Sequence, residues 1–302
     1  LGHDSEDLQA ASRLREEPGI LEAYARYFVR FVQAYADRGI RIAAVHPQNE
    51  VFASQIFPSC LWSRELLVAF IADYLHPAFR SAGLDTAIWA GTINDDAQEY
   101  TEWVVNHPKL NGLIEGAGFQ WAAKRFLADL QRPPELKLMQ TESECHNGAN
   151  DWTTGEVTFD LLCHYFAAGV NSYMYWNFAL DEWGLSNWGW RQNSLVTVNH
   201  ASGERCWNPD FHAMRHFSGH VDPGARYLPC TDTRLPAAAF RNPDGRIVLC
   251  VRNPDDKTHT LQVFVDDERF ELTLPARHMG TAVLGLEEIP SALSGIGASE
   301  RA

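Results

Sequence analysis

The chain has 302 residues, of which 45% are hydrophobic, and this is enough for a large buried core in one large domain or two ordinary ones. Its formal net charge of −14 excludes the basic footprint that binds phosphates, so nucleic acid is not an expected partner. No apolar run of the sequence is long enough to span a bilayer, which predicts no stable membrane insertion. Secreted and cytoplasmic locations both stay open, as does the oligomeric state.

Six cysteines are scattered singly along the chain. They form no CxxC motif and no Cys/His cluster with metal-ligand spacing, and the histidines show no HExxH pattern. The sequence therefore predicts neither a metal nor an organic cofactor. Cys163 and Cys250 lie in apolar surroundings, which favours buried free thiols at these two positions.

Helices and strands alternate through the first two thirds of the chain, after a polar N-terminal loop. The 3.6-residue periodicity and the apolar runs predict helices at 20–38, 63–82, 96–106, 122–131 and 156–168, and strands at 40–45, 86–90, 113–120, 136–141 and 170–176. Elements of this size in alternation are typical of parallel βα units.

The pattern changes after about residue 216. Short alternating segments at 247–251, 261–265 and 270–274 are separated by turn residues, which predicts an antiparallel β-sandwich domain over 216–289. All ten tryptophans lie between Trp62 and Trp207, so the β domain is expected to be structural. Residues 290–302 are rich in Ser, Gly and Ala and are predicted to be a flexible tail.

Two glutamates directly follow predicted strands: Glu50 and Glu142. The carboxyl ends of the strands are where βα barrels place catalytic groups. Retaining glycosidases need two carboxyls roughly 5–5.5 Å apart, one to protonate the leaving oxygen and one to attack the sugar. Either glutamate could equally be an ordinary loop carboxylate, and Glu144 is the fallback for the nucleophile because strand alternation could place it on the same face.

Five motifs in order give the chain a recognisable family pattern. They are His46–Glu50, Gly118–Trp121, Met139–Glu142, Tyr173–Asn177, and the pair Trp188–Ser194 and His216–Ser218. With these motifs the chain resembles glycoside hydrolase family 30, the family of glucosylceramidases, β-1,6-glucanases and related retaining enzymes. The resemblance covers nearly the whole chain.

The resemblance implies a role for each catalytic glutamate. Glu50 corresponds to the acid/base at the end of strand four of the family's barrel, and Glu142 to the nucleophile at the end of strand seven. The implied reaction is hydrolysis of a β-linked glucoside or related β-glycan with retained configuration, with β-1,6-glucan, glucosylceramide and β-xyloside as alternative substrates.

Four further residues are expected to bind the carbohydrate. Asn49 could hydrogen-bond the sugar 2-OH or be a turn residue. By the same resemblance, Gln120 and Trp121 line the subsite that holds the cleaved sugar, and Trp176 packs under that sugar. Structural roles remain open for all three residues. Thr92, Asn94 and Asp95 lie either at the rim of the pocket or in a solvated loop.

A (β/α)8 TIM barrel needs eight strands, and residues 1–215 provide five, which correspond to strands four to eight. We therefore expect a partial TIM-barrel catalytic domain and an N-terminally incomplete sequence. The rival hypothesis is a non-catalytic carbohydrate-binding protein or an inactive remnant of such an enzyme.

Overall fold

The computed structural model describes residues 13–55, 59–231, 233–265 and 268–285, and the backbone of residues 294–297. Contacts between Cα atoms divide the chain into two compact units. The first comprises Leu1–Ser143 with Val170–Met174, and the second comprises Glu144–Gly169 with Tyr175–Ala302. Within the described ranges, no helix combines the length and the apolar character that crossing a membrane requires.

The first unit is built on a five-stranded sheet. Its strands, in sheet order as in chain order, are β1 (Ala44–Val45), β2 (Ala87–Ile93), β3 (Gly116–Gln120), β4 (Lys137–Glu142) and β5 (Ser172–Tyr173). Every neighbouring pair is parallel. This confirms the parallel βα reading, while the correspondence to strands four to eight stays a prediction.

Three helical segments accompany these strands. They are α1 (Pro18–Ala36), α2 (α-helical at Arg64–Ala69 and His76–Ser81, π-helical at Phe70–Leu75) and α3 (Gln98–Val105). Of these, α1 precedes β1, α2 connects β1 to β2, and α3 connects β2 to β3. Pro18 suits the first turn of α1, where no partner is needed for its missing N–H. The Ser63 side chain accepts a hydrogen bond from Leu66 N and so caps α2.

Two predicted elements differ from the structure. The helix expected at 122–131 is wrong: the chain forms two 3₁₀ turns, Trp121–Arg125 and Leu127–Asp129. Trp121 has a left-handed backbone (φ 44°), which is incompatible with entering an α-helix there. The strand expected at 170–176 ends at Tyr173, so Trp176 lies outside it.

The second unit contains two helices, of which the first was predicted at 156–168, and a small sheet that was not predicted. The helices are α4 (Trp152–Ala167) and α5 (Pro209–Ser218), and the small sheet joins β6 (Ala179–Asp181), β7 (Val196–Val198) and β8 (Arg205–Trp207). Strands of three residues are too short for an alternating pattern to reveal them.

The C-terminal part of the second unit forms the predicted antiparallel β domain. The strands are β9 (Arg226–Leu228), β10 (Ala237–Arg241), β11 (Ile247–Asn253), β12 (His259–Val265), β13 (Glu268–Leu274), β14 (His278–Leu284) and β15 (Ser294–Gly297). One sheet has the order β15-β14-β11-β10-β9, and a separate hairpin pairs β12 with β13. Its core contains Leu235, Leu249, Val251, Leu272 and Leu274.

The expected flexible tail, 290–302, falls mostly outside the described residues. The part that is described, Ser294–Gly297, pairs antiparallel with β14 instead of being loose. All six cysteines are free thiols, and Cys163 and Cys250 are buried as predicted.

Candidate active site

Glu50 and Trp121 are joined by a hydrogen bond in the first unit. Trp121 Nε1 donates to Glu50 Oε1 at 2.8 Å. Both residues have left-handed backbones, with φ of 52° and 44°. Such a conformation is uncommon for a non-glycine residue, costs about 1–3 kcal/mol, and clusters at functional sites. Two unfavourable backbone conformations therefore accompany the contact between the Trp121 indole and the Glu50 carboxylate.

Gln120 lies between the two glutamates. It ends β3, is 1% exposed, and its Nε2 donates to Asn49 Oδ1 at 2.8 Å. The same Nε2 lies 3.4 Å from Glu142 Oε2. A register shift between β3 and β4 after Phe119 sets Gln120 opposite Glu142. The amide of Gln120 therefore connects the loop of Glu50 with the end of β4.

Thr92 ties the loop that precedes Glu50 to strand β2. Its Oγ1 accepts a hydrogen bond from Glu50 N and donates one to Asn49 Oδ1, each at 2.9 Å. Thr92 is buried, so the solvated-loop interpretation is wrong for this residue. Since Asn49 Oδ1 accepts from both Thr92 and Gln120, the amide nitrogen of exposed Asn49 is oriented to donate to a ligand.

Burial and mutual repulsion act on the two carboxyls. The pKa of Glu142 is raised to about 7, first by burial and then by the negative charge of Glu50. Burial also raises the pKa of Glu50, and the hydrogen bond from Trp121 opposes this rise. Two interacting carboxyls of this kind titrate as a pair, so the charge on either one makes the other harder to ionise.

His46 supports the same loop and was not singled out from the sequence beyond its motif. Its Nδ1 lies 2.8 Å from the carbonyl oxygen of Gly91, and because a carbonyl only accepts, Nδ1 carries the hydrogen. Burial lowers the pKa of His46, which keeps the ring neutral. A Cβ on Gly118 would lie 2.9 Å from His46 Nδ1, so the ring requires glycine at that position of β3.

A cavity of about 420 Å³ borders Asn49 and Glu50, and its wall includes Tyr24, His46 and Cys60. Its size suits a small ligand. Within the described ranges, no group of three His, Cys, Asp or Glu side chains could hold a metal ion.

Two residues considered from the sequence fall in the second unit. One is Glu144, and there burial, followed by the charge of Glu144, raises the pKa of Tyr165. Trp176 also belongs to the second unit, and its side chain is exposed. The structure thus brings together Asn49, Glu50, Gln120, Trp121 and Glu142 of the six predicted site residues.

The parallel βα units and the antiparallel β domain define a protein of the TIM-barrel class with an appended sandwich. The chain belongs to glycosyl hydrolase family 30. The family's TIM-barrel domain matches residues 10–221, and its β-sandwich domain matches residues 224–282. The resemblance inferred from the five motifs is thereby confirmed.

Individual relatives agree with this assignment. The chain is 28% identical over 254 residues to Endo-1,6-beta-D-glucanase neg1 of Aspergillus fumigatus, covering 78% of this chain and 50% of that protein. It is 26% identical over 290 residues to Lysosomal acid glucosylceramidase of Mus musculus, covering 85% and 55%. The crystal structure of SrfJ from Salmonella typhimurium superposes with a TM-score of 0.82 at 26% identity, covering 91% of this chain and 64% of that one. The chain spans about half the length of the curated relatives it matches.

Proposed function

We propose that the protein is a retaining O-glycoside hydrolase acting on β-linked glucosides or related β-glycans, with Glu50 as general acid/base and Glu142 as nucleophile. The observation that supports this most is the hydrogen-bond network itself. The Gln120 amide reaches toward Glu142 and bonds Asn49, while the neighbouring Trp121 indole bonds Glu50. Two carboxyls held in one network at strand ends fit the geometry of glycoside hydrolysis.

The reaction has two displacements. In the first, a carboxylate oxygen of Glu142 bonds to the anomeric carbon, the glycosidic C–O bond breaks, and the proton of Glu50 passes to the leaving oxygen. In the second, Glu50 takes a proton from water, the water oxygen bonds to the anomeric carbon, and the ester bond to Glu142 breaks.

The protonation of the pair has to match these roles. With substrate bound, Glu50 must carry a proton and Glu142 must be ionised so that it can attack. The positive edge of the Trp121 indole limits how far burial raises the pKa of Glu50. Hydrogen bonds from Asn49 and Gln120 to a sugar hydroxyl would be stronger in the transition state than in the bound substrate.

The substrate class follows from the relatives. One matched relative is an endo-1,6-β-D-glucanase and another a glucosylceramidase, so β-1,6-glucan and glucosylceramide are the leading candidates. β-Xyloside is the third. Trp121 would offer a flat apolar face to the sugar ring.

Turnover of a panel of aryl β-glycosides and of β-1,6-glucan tests the proposal. Glu50→Gln and Glu142→Gln are each expected to lower kcat by at least a thousandfold, whereas Glu144→Gln serves as the matched control and should retain activity. Full activity in either of the first two variants would rule out the assigned roles. Glycan binding without turnover in the unmodified protein would favour the non-catalytic rival instead.

A further inference from the structure

Thr92 is buried among the residues of the candidate site, although the proposed bond changes do not use it. It is the penultimate residue of β2 and is 5% exposed. Its Oγ1 lies 2.9 Å from Glu50 N, 2.9 Å from Asn49 Oδ1 and 3.3 Å from Gln120 Nε2. A single buried hydroxyl that contacts three residues of one site points to a role in positioning them.

The direction of each of these bonds follows from the hydrogens available. A threonine hydroxyl has one hydrogen and two lone pairs. The backbone N–H of Glu50 can only donate, so it occupies one lone pair, and the Gln120 amide nitrogen occupies the other. The amide oxygen of Asn49 can only accept, so the one hydrogen of Thr92 points to it. All three positions are used, which fixes the rotation of the hydroxyl.

This arrangement decides which end of the Asn49 amide faces a ligand. Oδ1 accepts from Thr92 at 2.9 Å and from Gln120 Nε2 at 2.8 Å. Turning the amide over would set its NH2 group against the NH2 group of Gln120, and two donors do not bond each other. Because Asn49 is exposed and lines the cavity beside Glu50, Nδ2 is the end that a ligand meets.

Thr92 also holds the main chain of the loop that carries Glu50. Its own N–H donates to Gln48 O at 3.1 Å, and its hydroxyl accepts from Glu50 N. Glu50 has φ of 52°, a conformation that a non-glycine residue adopts only when its surroundings hold it there. Thr92 therefore fixes the backbone of Glu50, while Trp121 holds its carboxylate.

We propose that Thr92 is a positioning residue, which keeps Asn49 as a hydrogen-bond donor and thereby makes the site depend on the sugar 2-hydroxyl. The proposal rests on the hydrolase function given above. A contact to the 2-hydroxyl strengthens in the transition state. Loss of the Thr92 hydroxyl should therefore lower kcat more than it raises KM.

Steady-state kinetics of Thr92→Val tests the proposal, because valine has nearly the shape of threonine but no hydroxyl. The substrates are the aryl β-glycoside that the parent turns over fastest and its 2-deoxy counterpart. We expect kcat/KM to fall about tenfold to a hundredfold with the first substrate, mainly through kcat, and about fivefold less with the second. Thr92→Ser keeps the hydroxyl and should retain activity within about threefold on both.

The matched control is Thr86→Val. Thr86 is also buried, immediately precedes β2, and donates its hydroxyl hydrogen to Ile42 O at 3.0 Å, away from the candidate site. Its kinetics should match the parent within about threefold. Equal falls in the two valine variants, or equal falls on the two substrates with Thr92→Val, would overturn the proposal. If Thr92→Val does not fold, Thr92→Ala removes the same hydroxyl without adding volume and is held to the same outcomes.

Binding of two iminosugars separates this proposal from the hydrolase itself. Isothermal calorimetry compares 1-deoxynojirimycin, which carries the hydroxyl equivalent to the 2-hydroxyl, with isofagomine, which lacks it. Thr92→Val should weaken binding of the first about tenfold and leave the second unchanged. This result in a protein without turnover would support the positioning role and reject the hydrolase. Turnover with no such selectivity would reject the positioning role alone, and a parent that shows neither turnover nor binding would reject both.

Discussion

The indole nitrogen of Trp121 donates a 2.8 Å hydrogen bond to the carboxylate of Glu50, and both residues adopt left-handed backbones to make it. This bond favours the charged form of Glu50 and so opposes the effect of burial on its pKa. The indole thereby helps to decide at what pH the proposed general acid loses its proton.

Trp121→Phe is expected to raise the pKa of Glu50 further, because the bond that stabilises the carboxylate is lost while burial remains. The alkaline limb of the pH–rate profile should therefore move to higher pH, and kcat/KM should fall about tenfold to a hundredfold, since a hydrogen bond to a charged group contributes about 1.5–3 kcal/mol. The control is Trp103→Phe on α3, whose indole stacks with Arg64. An alkaline limb that stays in place or moves to lower pH would show that the bond does not control Glu50.

Glu50→Gln should lower the pKa of Glu142. The negative charge of Glu50 is the second cause that raises this pKa to about 7, so its removal brings the pKa down. The pKa should stay above its ordinary value, because burial is the larger cause. Carbon-13 NMR of the labelled glutamate carboxyls follows the titration, with Glu99→Gln, an exposed carboxylate of α3, as the control. An unchanged pKa would mean that the two glutamates do not interact.

The raised pKa of Glu142 also predicts how stability depends on pH. The folded protein keeps this proton up to about pH 7, whereas the unfolded chain releases it near the ordinary value of 4.5. The free energy of unfolding should therefore fall as pH rises from 4.5 to 7. The Glu142→Gln variant has no carboxyl at this position, so its free energy of unfolding should not show this fall. It should be more stable than the parent by ~2 kcal/mol at pH 8 but not below pH 4. Urea unfolding at both pH values measures the difference, and equal differences at the two pH values would contradict it.

Gly116 in β3 leaves the space that the Trp89 ring of the neighbouring strand β2 occupies. A Cβ at Gly116 would lie 2.5 Å from the Trp89 ring and 2.6 Å from the carbonyl oxygen of Lys137. Because one of these contacts is backbone, Gly116→Ala should destabilise the protein by about 3 kcal/mol. Gly19→Ala, which meets no atom within 4 Å, is the matched control and should change stability by less than about 1 kcal/mol in urea unfolding. Similar losses for both substitutions would contradict the packing described for β3.

The sequence predicts the positions of the candidate site residues where a local pattern determines them. Glu50 and Glu142 directly follow apolar runs that were predicted to form parallel strands. Gln120 and Trp121 come at the end of another such run. Thr92 could not be assigned in this way. Its bonds to Asn49 and Glu50 depend on how β1 and β2 are aligned, and alignment between strands is not encoded in the spacing of residues within either one.

The fold shows the same limit. Long periodic segments such as α1 and α4 were predicted within a few residues. The helix expected at 122–131 failed because Trp121 takes the left-handed backbone that its bond to Glu50 requires, and this tertiary demand overrides local helix propensity. The strands of the small sheet have three residues each and are specified by their neighbours in space.

The central claim, that Glu142 is the nucleophile of a retaining mechanism, is tested most directly by trapping the glycosyl-enzyme. The protein is incubated with 2,4-dinitrophenyl 2-deoxy-2-fluoro-β-D-glucoside, digested, and the labelled peptide is sequenced by mass spectrometry. Our account predicts one fluoroglucosyl group, attached to Glu142 and absent from the Glu142→Gln variant. A label on Glu144 or on any other residue, or undiminished labelling of Glu142→Gln, would contradict it.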